Sequence, residues 1–458
     1  MQYVDEKISI SVKKTSSFAW IDYEFIKPSV QISFSYDIHS VIELYEAIMS
    51  IIILICIDHQ FNYIISKSIF TYPAGIGNII PSDGSAITRS SDKRRKIFFI
   101  CEPIFSAFAI FPLIIIFWEA GWNFIIDWLD TSVGQHRVTV PLLYVFSQLI
   151  LLAIYTTQDH LYGFLAGLKN DFLRVVLLQF HCLISALSYI IQWVSMWTLW
   201  DYYTSDEWLP MLLISFAAIL AIIILVGHPC DLVCAPFVIS YDSVEYNIRI
   251  GTPFTIGQMN RYVAHLLNYI FYEYLTSILC ILAWRGSYKF LDIHLYPENE
   301  IISGIFSLLS GYLLYFTLMY TQVLQNNTAY STPFLDINFP LFLENLRHIC
   351  SFFSCVLLWR GFWIVFDEFI VAVSLINGNR FKFYIIAMII SFLILSFMKT
   401  ASSIHGPMSH IDDEYELFPI YRNCFLSKWF EKKNSSLNEM KSNSRKTTTS
   451  DLYTITIF

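Results

Sequence analysis

Eight apolar segments, each of about 20 residues, are the feature that most restricts the fold of this chain. A helix rises 1.5 Å per residue, so about 20 apolar residues cross the roughly 30 Å of hydrocarbon in a bilayer. Only 14% of the 458 residues are charged, against about 25% in soluble proteins. We therefore predict an all-α, polytopic membrane protein embedded in a lipid bilayer. The predicted spans are 97–117, 139–157, 175–197, 209–227, 263–283, 301–320, 341–363 and 381–398.

A ninth apolar stretch, residues 41–57, differs from these spans. It contains Glu43 and Glu46, and the uninterrupted apolar part that follows is short. Such a helix is typical of a segment that lies in the membrane interface. We predict an interfacial helix within an N-terminal region of residues 1–96; the alternative, a ninth crossing, would move the N-terminus to the other side.

A pattern of tryptophan, aromatic residue and aspartate, spaced at i, i+4 and i+8 with one copy a residue late, recurs four times. The first tryptophans of the copies lie 75, 91 and 75 residues apart, so copies one and three, and two and four, are separated by 166 residues. The same shift carries the first four spans onto the last four. The motif residues are Trp118, Trp122 and Asp127; Trp193, Trp197 and Asp201; Trp284, Arg285, Tyr288 and Asp292; and Trp359, Arg360, Trp363 and Asp367.

This regularity predicts two tandem, parallel four-helix repeats, 97–228 and 263–398, joined by a cytoplasmic linker at 229–262. Because each repeat has an even number of spans, both enter the membrane in the same sense and all four motifs end on one face. The order of span, motif, loop and span predicts four helical hairpins. The remaining residues, 399–458, form a tail that is partly disordered, because Ser, Thr, Asn and Lys are abundant between Asn434 and Thr449.

The distribution of basic residues predicts the orientation. Lys and Arg fill positions 93–96 before the first span, and eight more follow the last span. Since short cytoplasmic flanks carry such an excess, we expect both termini in the cytoplasm and the motifs on the extracellular face. The sequon at 326–328 then lies in a cytoplasmic loop and stays unglycosylated.

Two interpretations of the motif remain open. Tryptophan and tyrosine concentrate at membrane interfaces, which would make the pattern a simple record of duplication. Alternatively, the stripes surround a common axis, with their four aspartates in a ring that attracts cations or pairs with Arg285 and Arg360. The glycines at 121, 286 and 361 favour close helix packing.

Polar residues inside the predicted spans form a second candidate site. Glu273, His181 and His348 lie 11 or 12 residues before a motif tryptophan, which corresponds to mid-bilayer depth. Ionisable residues at that depth relay protons, bind substrate or pair across helices. The full set of intramembrane polar residues is Glu102, His181, His265, Asn268, Glu273, Glu344 and His348.

Signatures of catalysis are scarce. The chain has no phosphate-binding loop, nucleophile elbow or zinc-protease motif. His228, Cys230 and Cys234 offer metal ligands, but their spacing matches no standard zinc pattern, and palmitoylation or no role is favoured. We therefore predict no enzymatic activity, no cofactor, no metal and no nucleic-acid partner.

The C-terminus ends in Thr456, Ile457 and Phe458. An extended tail with a hydroxyl and a terminal apolar side chain can add a strand to a PDZ domain. The sequence thus offers a PDZ scaffold as a candidate partner.

The two Trp-Arg-Gly copies, Trp284 to Asp292 and Trp359 to Asp367, on a chain of eight spans with cytoplasmic ends, resemble the Fuseless family of invertebrate multi-pass proteins. The resemblance covers residues 95–400. It implies a neuronal protein of the presynaptic plasma membrane that is needed for neurotransmitter release, through the placing or functioning of voltage-gated calcium channels. Calcium-channel subunits are then expected partners.

Two functions remain in competition. One is a presynaptic organiser that binds other membrane or scaffold proteins. The other is a secondary transporter or channel, indicated by the mid-membrane Glu273, His181 and His348 and by the outer carboxylates. Convergence of these residues on one cavity would favour transport.

Overall fold

The computed structural model describes residues 100–133, 136–204, 207–240, 242–248, 250, 260–331, 339–377 and 380–405. Within these ranges the long elements are all helices and no strand occurs. Eight helices are long and apolar enough to cross a membrane, as predicted, and most extend beyond the predicted spans. They are α1 (Ile100–Thr131), α2 (His136–Gly167), α3 (Asp171–Tyr203), α4 (Trp208–Val226), α5 (Arg261–His294), α6 (Glu300–Ser331), α7 (Phe339–Asn377) and α8 (Arg380–Met398).

Local sequence explains several helix ends. The side chain of Asn170 accepts a hydrogen bond from the backbone N–H of Leu173 and caps α3, and Asn260 caps α5 in the same way through Tyr262. Gly227 ends α4 with a left-handed backbone, φ 90°, a conformation that glycine adopts without steric cost. Two helices contain π-helical segments, Ser106–Ile110 in α1 and Tyr269–Thr276 in α5.

The four helices that carry the motif form an inner ring. α1 contacts α3, α3 contacts α5, α5 contacts α7, and α7 returns to α1. The outer helices pack against this ring, α2 on α3, α4 on α5, α6 on α7 and α8 on α1. Helices from both predicted repeats therefore build one closed bundle.

The prediction of four helical hairpins is wrong. Three inner helices, α3, α5 and α7, pack most extensively on the outer helix that precedes each of them in the chain. The fourth inner helix, α1, packs most extensively on α8. Glycine explains part of this choice of neighbour. A Cβ at Gly286 would lie 2.5 Å from the backbone oxygen of Met211 in α4, and one at Gly361 would lie 2.8 Å from the oxygen of Gly304 in α6. Only a residue without a side chain allows these backbones to approach so closely.

The outer helices expose apolar side chains on the surface of the bundle. Examples are Leu142 in α2, Leu213 in α4, Leu313 in α6 and Phe397 in α8, which are 59–89% exposed. This distribution suits contact with hydrocarbon, since charged groups face inward or lie near the helix ends.

Several predictions lie outside the described residues: the N-terminal region 1–96 with its interfacial helix at 41–57, and the tail with Thr456 and Phe458. The sequon at 326–328 was predicted to lie in a loop, which is wrong, because α6 continues through it to Ser331. The tandem repeat itself stays a prediction.

Candidate functional site

The aromatic residues of the four motifs meet at the centre of the inner ring. Each motif helix places its i and i+4 side chains on one face, because 3.6 residues complete a turn, and this face points toward the bundle axis. We call the resulting set of eight side chains the aromatic cage. It comprises Trp118, Trp122, Trp193, Trp197, Trp284, Tyr288, Trp359 and Trp363.

The cage has two layers, one from each motif position. In the first layer the ring centroids follow one another around the axis at 5.9 Å, 6.2 Å, 5.9 Å and 5.9 Å, and every contact is edge to face. In the second layer Trp122 lies 5.6 Å from Trp197 and 5.4 Å from Trp363, and Trp197 lies 5.9 Å from Tyr288. Edge-to-face pairs contribute about 0.5–1.5 kcal/mol each beyond burial, so the two layers stabilise the axis.

The interpretation of these residues as an interfacial aromatic belt is wrong. Seven of the eight side chains are between 4% and 8% exposed, and Trp359 is partly buried. An interfacial belt would leave them against lipid headgroups, whereas here they contact one another. The alternative of four stripes around a common axis describes the structure.

The motif arginines bind aspartates of the neighbouring inner helix, as predicted. Arg285 of α5 donates to Asp201 of α3 from Nε at 2.8 Å and from Nη2 at 2.6 Å. Arg360 of α7 donates to Asp292 of α5 from Nε at 2.8 Å, and its Nη atoms donate to two serines of α6. All four ionic side chains are less than 8% exposed. Each arginine thus ties its helix to the preceding motif helix.

The interface between α7 and α1 carries a different pair. Glu119 occupies the position of the two arginines, directly after the motif tryptophan, and its carboxyl group lies beside that of Asp367. Both oxygens of Glu119 are buried, and Asn123 of α1 donates to Asp367 Oδ1 at 2.9 Å. Two carboxyl groups therefore face each other where the α3–α5 and α5–α7 interfaces have an ion pair.

The interpretation of the four aspartates as a ring that attracts cations is wrong, because each of them binds a side chain of this protein. Asp201 and Asp292 bind arginines, Asp367 binds Asn123, and Asp127 accepts a hydrogen bond from the Tyr384 hydroxyl of α8 at 3.3 Å. The aspartates hold helices together, and the acidic character is concentrated at Glu119 and Asp367.

Two irregular segments close the cage at the end opposite the motif aspartates. We call them the floor segments, residues 227–240 after α4 and residues 399–405 after α8. Trp359 Nε1 donates to the carbonyl oxygen of Ala235 at 2.9 Å, and Trp118 Nε1 donates to that of Ile404 at 2.7 Å. Non-helical backbone within a bundle of apolar helices is tolerated where protein buries it or where it lines a cavity, and both conditions hold here.

Hydrogen bonds join the two floor segments. The backbone N–H of Ser240 donates to Ser403 Oγ at 2.8 Å, and that of Ser402 donates to Asp242 Oδ1 at 2.8 Å. Asp242 also donates its own N–H to the oxygen of Lys399 at 2.8 Å. The floor is thus one hydrogen-bonded unit.

A cavity of about 60 Å³ lies inside the cage and above the floor. Besides the eight aromatic side chains, Cys234, Ala235, Ser403 and His405 line it. Trp284 Nε1 and the Tyr288 hydroxyl are buried and have no hydrogen-bond partner in the part of the chain that the structure describes. The cavity is therefore aromatic with a few polar atoms, which is the usual character of a small-molecule site.

The intramembrane polar residues do not line this cavity. Glu273 is buried in a cradle beside it, where Oε1 accepts from Tyr155 at 2.8 Å and from Tyr189 at 2.7 Å. Gln192 donates to the backbone oxygen of Glu273 at 3.1 Å, within the π-helical segment of α5. This arrangement corresponds to the prediction that such residues pair across helices.

The other predicted polar residues lie in separate places. His265 lies 2.9 Å from Asp159 and 3.1 Å from Gln158, and Asn268 is fully buried on the next turn. His348 and Glu344 lie 3.6 Å apart on α7. Glu102 and His181 are partly exposed. Convergence of these residues on one cavity, which would have favoured transport, is thus not observed among the described residues.

The structure brings together His228, Cys230 and Asp231 after α4. Their potential ligand atoms lie within 4.8 Å of one another, and His228 Nδ1 lies 2.9 Å from the sulfur of Cys230. Burial raises the pKa of Asp231 to about 7. Asp231 was absent from the sequence-based set of ligands, although its position beside Cys230 was visible. Absence of a bound metal stays a prediction.

Sequence reasoning missed the floor segments, Asn123 and the pairing of Glu119 with Asp367. A signal for the last was present, because the motif alignment places Glu119 opposite two arginines. The floor gave no such signal, since its bonds to the cage tryptophans use backbone carbonyl groups that any residue provides.

No curated protein and no solved structure matches the chain. The sequence model of the Fuseless family matches residues 97–405, from the first inner helix to the end of the second floor segment. All four motifs and the whole cage lie in the matched part, and the chain belongs to the Fuseless family.

Proposed function

We propose that this chain is a non-enzymatic protein of the presynaptic plasma membrane that supports neurotransmitter release. Its partners would be voltage-gated calcium channels, whose placement it promotes, and a PDZ scaffold bound by Thr456 and Phe458. Membership of the Fuseless family supports the synaptic role that the resemblance implies. The eight apolar helices support residence in a membrane.

The packed axis is the observation that most favours an organising role. Two layers of aromatic rings occupy the centre of the inner ring, and the joined floor segments close one end of it. The intramembrane carboxylates bind tyrosine, asparagine and arginine side chains at separate sites. A rigid body of this kind suits a protein that positions others, since interfaces require fixed surfaces.

The proposed orientation places both termini and the floor in the cytoplasm and the motif aspartates outside. An epitope inserted after Glu298, in the turn between α5 and α6, should be labelled on intact cells, and an epitope at the C-terminus should require permeabilisation. The reverse pattern would overturn the orientation. Glycan at Asn326 would do so as well, because it requires that site on the luminal side.

Rescue in neurons that lack the protein tests the proposed role. Wild-type protein should restore presynaptic calcium entry and the number of tagged channels at release sites. A Thr456→Ala variant should restore less, because the hydroxyl would fill a PDZ pocket, and Thr448→Ala is the matched control outside the terminal motif. Normal calcium entry and channel number in neurons without the protein would contradict the proposal.

Transport is the second candidate, and the cavity favours it. Backbone that re-enters a helix bundle and lines a cavity is typical of transporter sites. Flux of radiolabelled organic and inorganic cations into proteoliposomes, compared with empty liposomes, tests this function. Wild-type flux that Glu273→Gln reduces would support transport, and flux equal to that of empty liposomes would exclude it for those ions.

A further inference from the structure

We propose that the aromatic cage binds a small organic ammonium ion. Nothing in the proposed presynaptic role requires this ligand, so the two proposals stand or fall separately. The inference combines the composition of the cavity wall, two buried polar atoms that lack partners, and the charge of the adjacent carboxyl pair.

The wall of the cavity suits a cation with an apolar surface. Seven tryptophans and Tyr288 surround it, and the four tryptophans of the first layer contact one another edge to face in a closed ring. Electron-rich ring faces attract ammonium groups, and tryptophan does so most strongly. Inorganic cations lose more hydration on entry than an alkylated ammonium and would find few oxygen ligands here.

Two polar atoms remain for the ligand. Trp284 Nε1 and the Tyr288 hydroxyl are buried in the cavity wall and have no partner within the described residues. Trp284 can only donate a hydrogen bond, whereas the tyrosine oxygen can also accept one. A hydroxyl or carbonyl group on the ligand would satisfy the indole, and an N–H or O–H of the ligand would satisfy the tyrosine.

The sign of the charge follows from the Glu119 and Asp367 pair. At the α3–α5 and α5–α7 interfaces an arginine neutralises the motif aspartate, whereas at the α7–α1 interface a second carboxyl group takes the place of the arginine. Tyr288, which lines the cavity, lies within electrostatic range of the Asp292–Arg360 ion pair and also of both of these carboxyl groups. A carboxyl pair at the edge of a poorly solvated aromatic site favours a positive ligand over a neutral or negative one.

The size of the cavity limits the ligand. A single water needs about 10–15 Å³ on the same scale, so 60 Å³ corresponds to about four to six waters. A cation of about five to eight non-hydrogen atoms, such as choline, fills that space. Larger amines would have to displace Ser403 or His405 of the floor.

Titration of the purified full-length protein in lipid nanodiscs tests the proposal. The probes are choline and its uncharged isostere, 3,3-dimethylbutan-1-ol, followed by calorimetry and by tryptophan fluorescence. Seven of the 12 tryptophans line the cage, so binding there should change the emission. We expect choline to bind and the isostere to bind at least tenfold more weakly.

Two conservative variants locate the binding. Trp284→Phe should weaken choline binding by about two- to thirtyfold, the range of a single cation–π contact, and Glu119→Gln should weaken it as well. Trp208→Phe is the matched control, because Trp208 is 39% exposed and does not line the cavity. A single cooperative melting transition in each variant establishes that it is folded.

Three results would overturn the proposal. They are equal binding of choline and the isostere, which would define an apolar site; no binding of choline at 10 mM on a folded wild-type protein; and choline binding that Trp208→Phe reduces as much as Trp284→Phe does. Normal synaptic rescue by Trp284→Phe would leave the presynaptic role intact, so failure of the two proposals can be told apart.

Discussion

The residue directly after the motif tryptophan is an arginine at two interfaces of the inner ring and Glu119 at a third, and the two residue types have opposite charge. Between α3 and α5, and between α5 and α7, a buried guanidinium group joins two inner helices through charge-assisted hydrogen bonds. Between α7 and α1 the corresponding side chain is a carboxyl group beside another carboxyl group. Two such groups cannot both ionise without mutual repulsion. Of the four interfaces of the inner ring, two are thus held by an ion pair, and the α7–α1 interface carries acidic character beside the cage.

Loss of an arginine should have the largest effect. Arg360→Met leaves Asp292 buried without its ion-pair partner, which typically destabilises a protein by about 3–5 kcal/mol. Thermal unfolding in detergent, with calorimetry or with a fluorescent thiol probe, measures the change. The double variant with Arg360→Met and Asp292→Leu should regain much of the loss, because no buried charge then remains.

The corresponding single and double substitutions at Arg285 and Asp201, measured by thermal unfolding, provide an independent repeat of this test. If Arg360→Met and Glu119→Gln destabilised the protein equally, the distinction between the two kinds of interface would fail.

Glycines near these positions give an intermediate effect: Gly286 directly follows Arg285, and Gly121 lies two residues after Glu119. A Cβ at Gly286 would meet the backbone oxygen of Met211 at 2.5 Å, whereas one at Gly121 would meet the flexible end of Ile190 at 2.9 Å. Gly286→Ala should therefore cost about 1–3 kcal/mol through overpacking, and Gly121→Ala should cost less because Ile190 can move. Equal melting temperatures for the two variants would show that close packing does not distinguish these helices.

Replacement of the acid should have the smallest effect on stability, and of opposite sign. Glu119→Gln removes one of two facing carboxyl groups and supplies an amide that can donate to Asp367. We expect the free energy of unfolding to rise by about 1 kcal/mol, the size of a typical net hydrogen-bond contribution. A decrease in melting temperature, measured without added amine, would contradict this expectation.

The local part of this structure could be predicted from the sequence. Eight helices follow from the length of the apolar segments, and the stripe of Trp359, Trp363 and Asp367 follows from helical periodicity. The pairing of Arg285 and Arg360 with motif aspartates was foreseeable because a buried guanidinium group requires a carboxylate or equivalent partner.

Long-range relations could not be obtained in this way. The sequence order of the hairpins suggested that α1 packs on α2, but α8 lies there instead, and no local pattern specifies that choice. Glu273 was recognised as a buried acid, yet its two tyrosine donors come from α2 and α3, 118 and 84 residues away. The cage tryptophans bind the floor through its main-chain oxygens, which carry no sequence signal.

Closure of the inner ring between α7 and α1 is the central claim, because it creates both the cage and the carboxyl pair. Asn123 Nδ2 and Asp367 Oδ1 lie 2.9 Å apart across this interface. Cysteines substituted at these two positions can be oxidised in the membrane, and the linked peptides can be identified by mass spectrometry. The matched control pairs Asn123→Cys with Asp292→Cys on α5, across the cage. We predict a disulfide between positions 123 and 367 and none between 123 and 292; the reverse result, or a folded protein without the first disulfide, would contradict the closed ring.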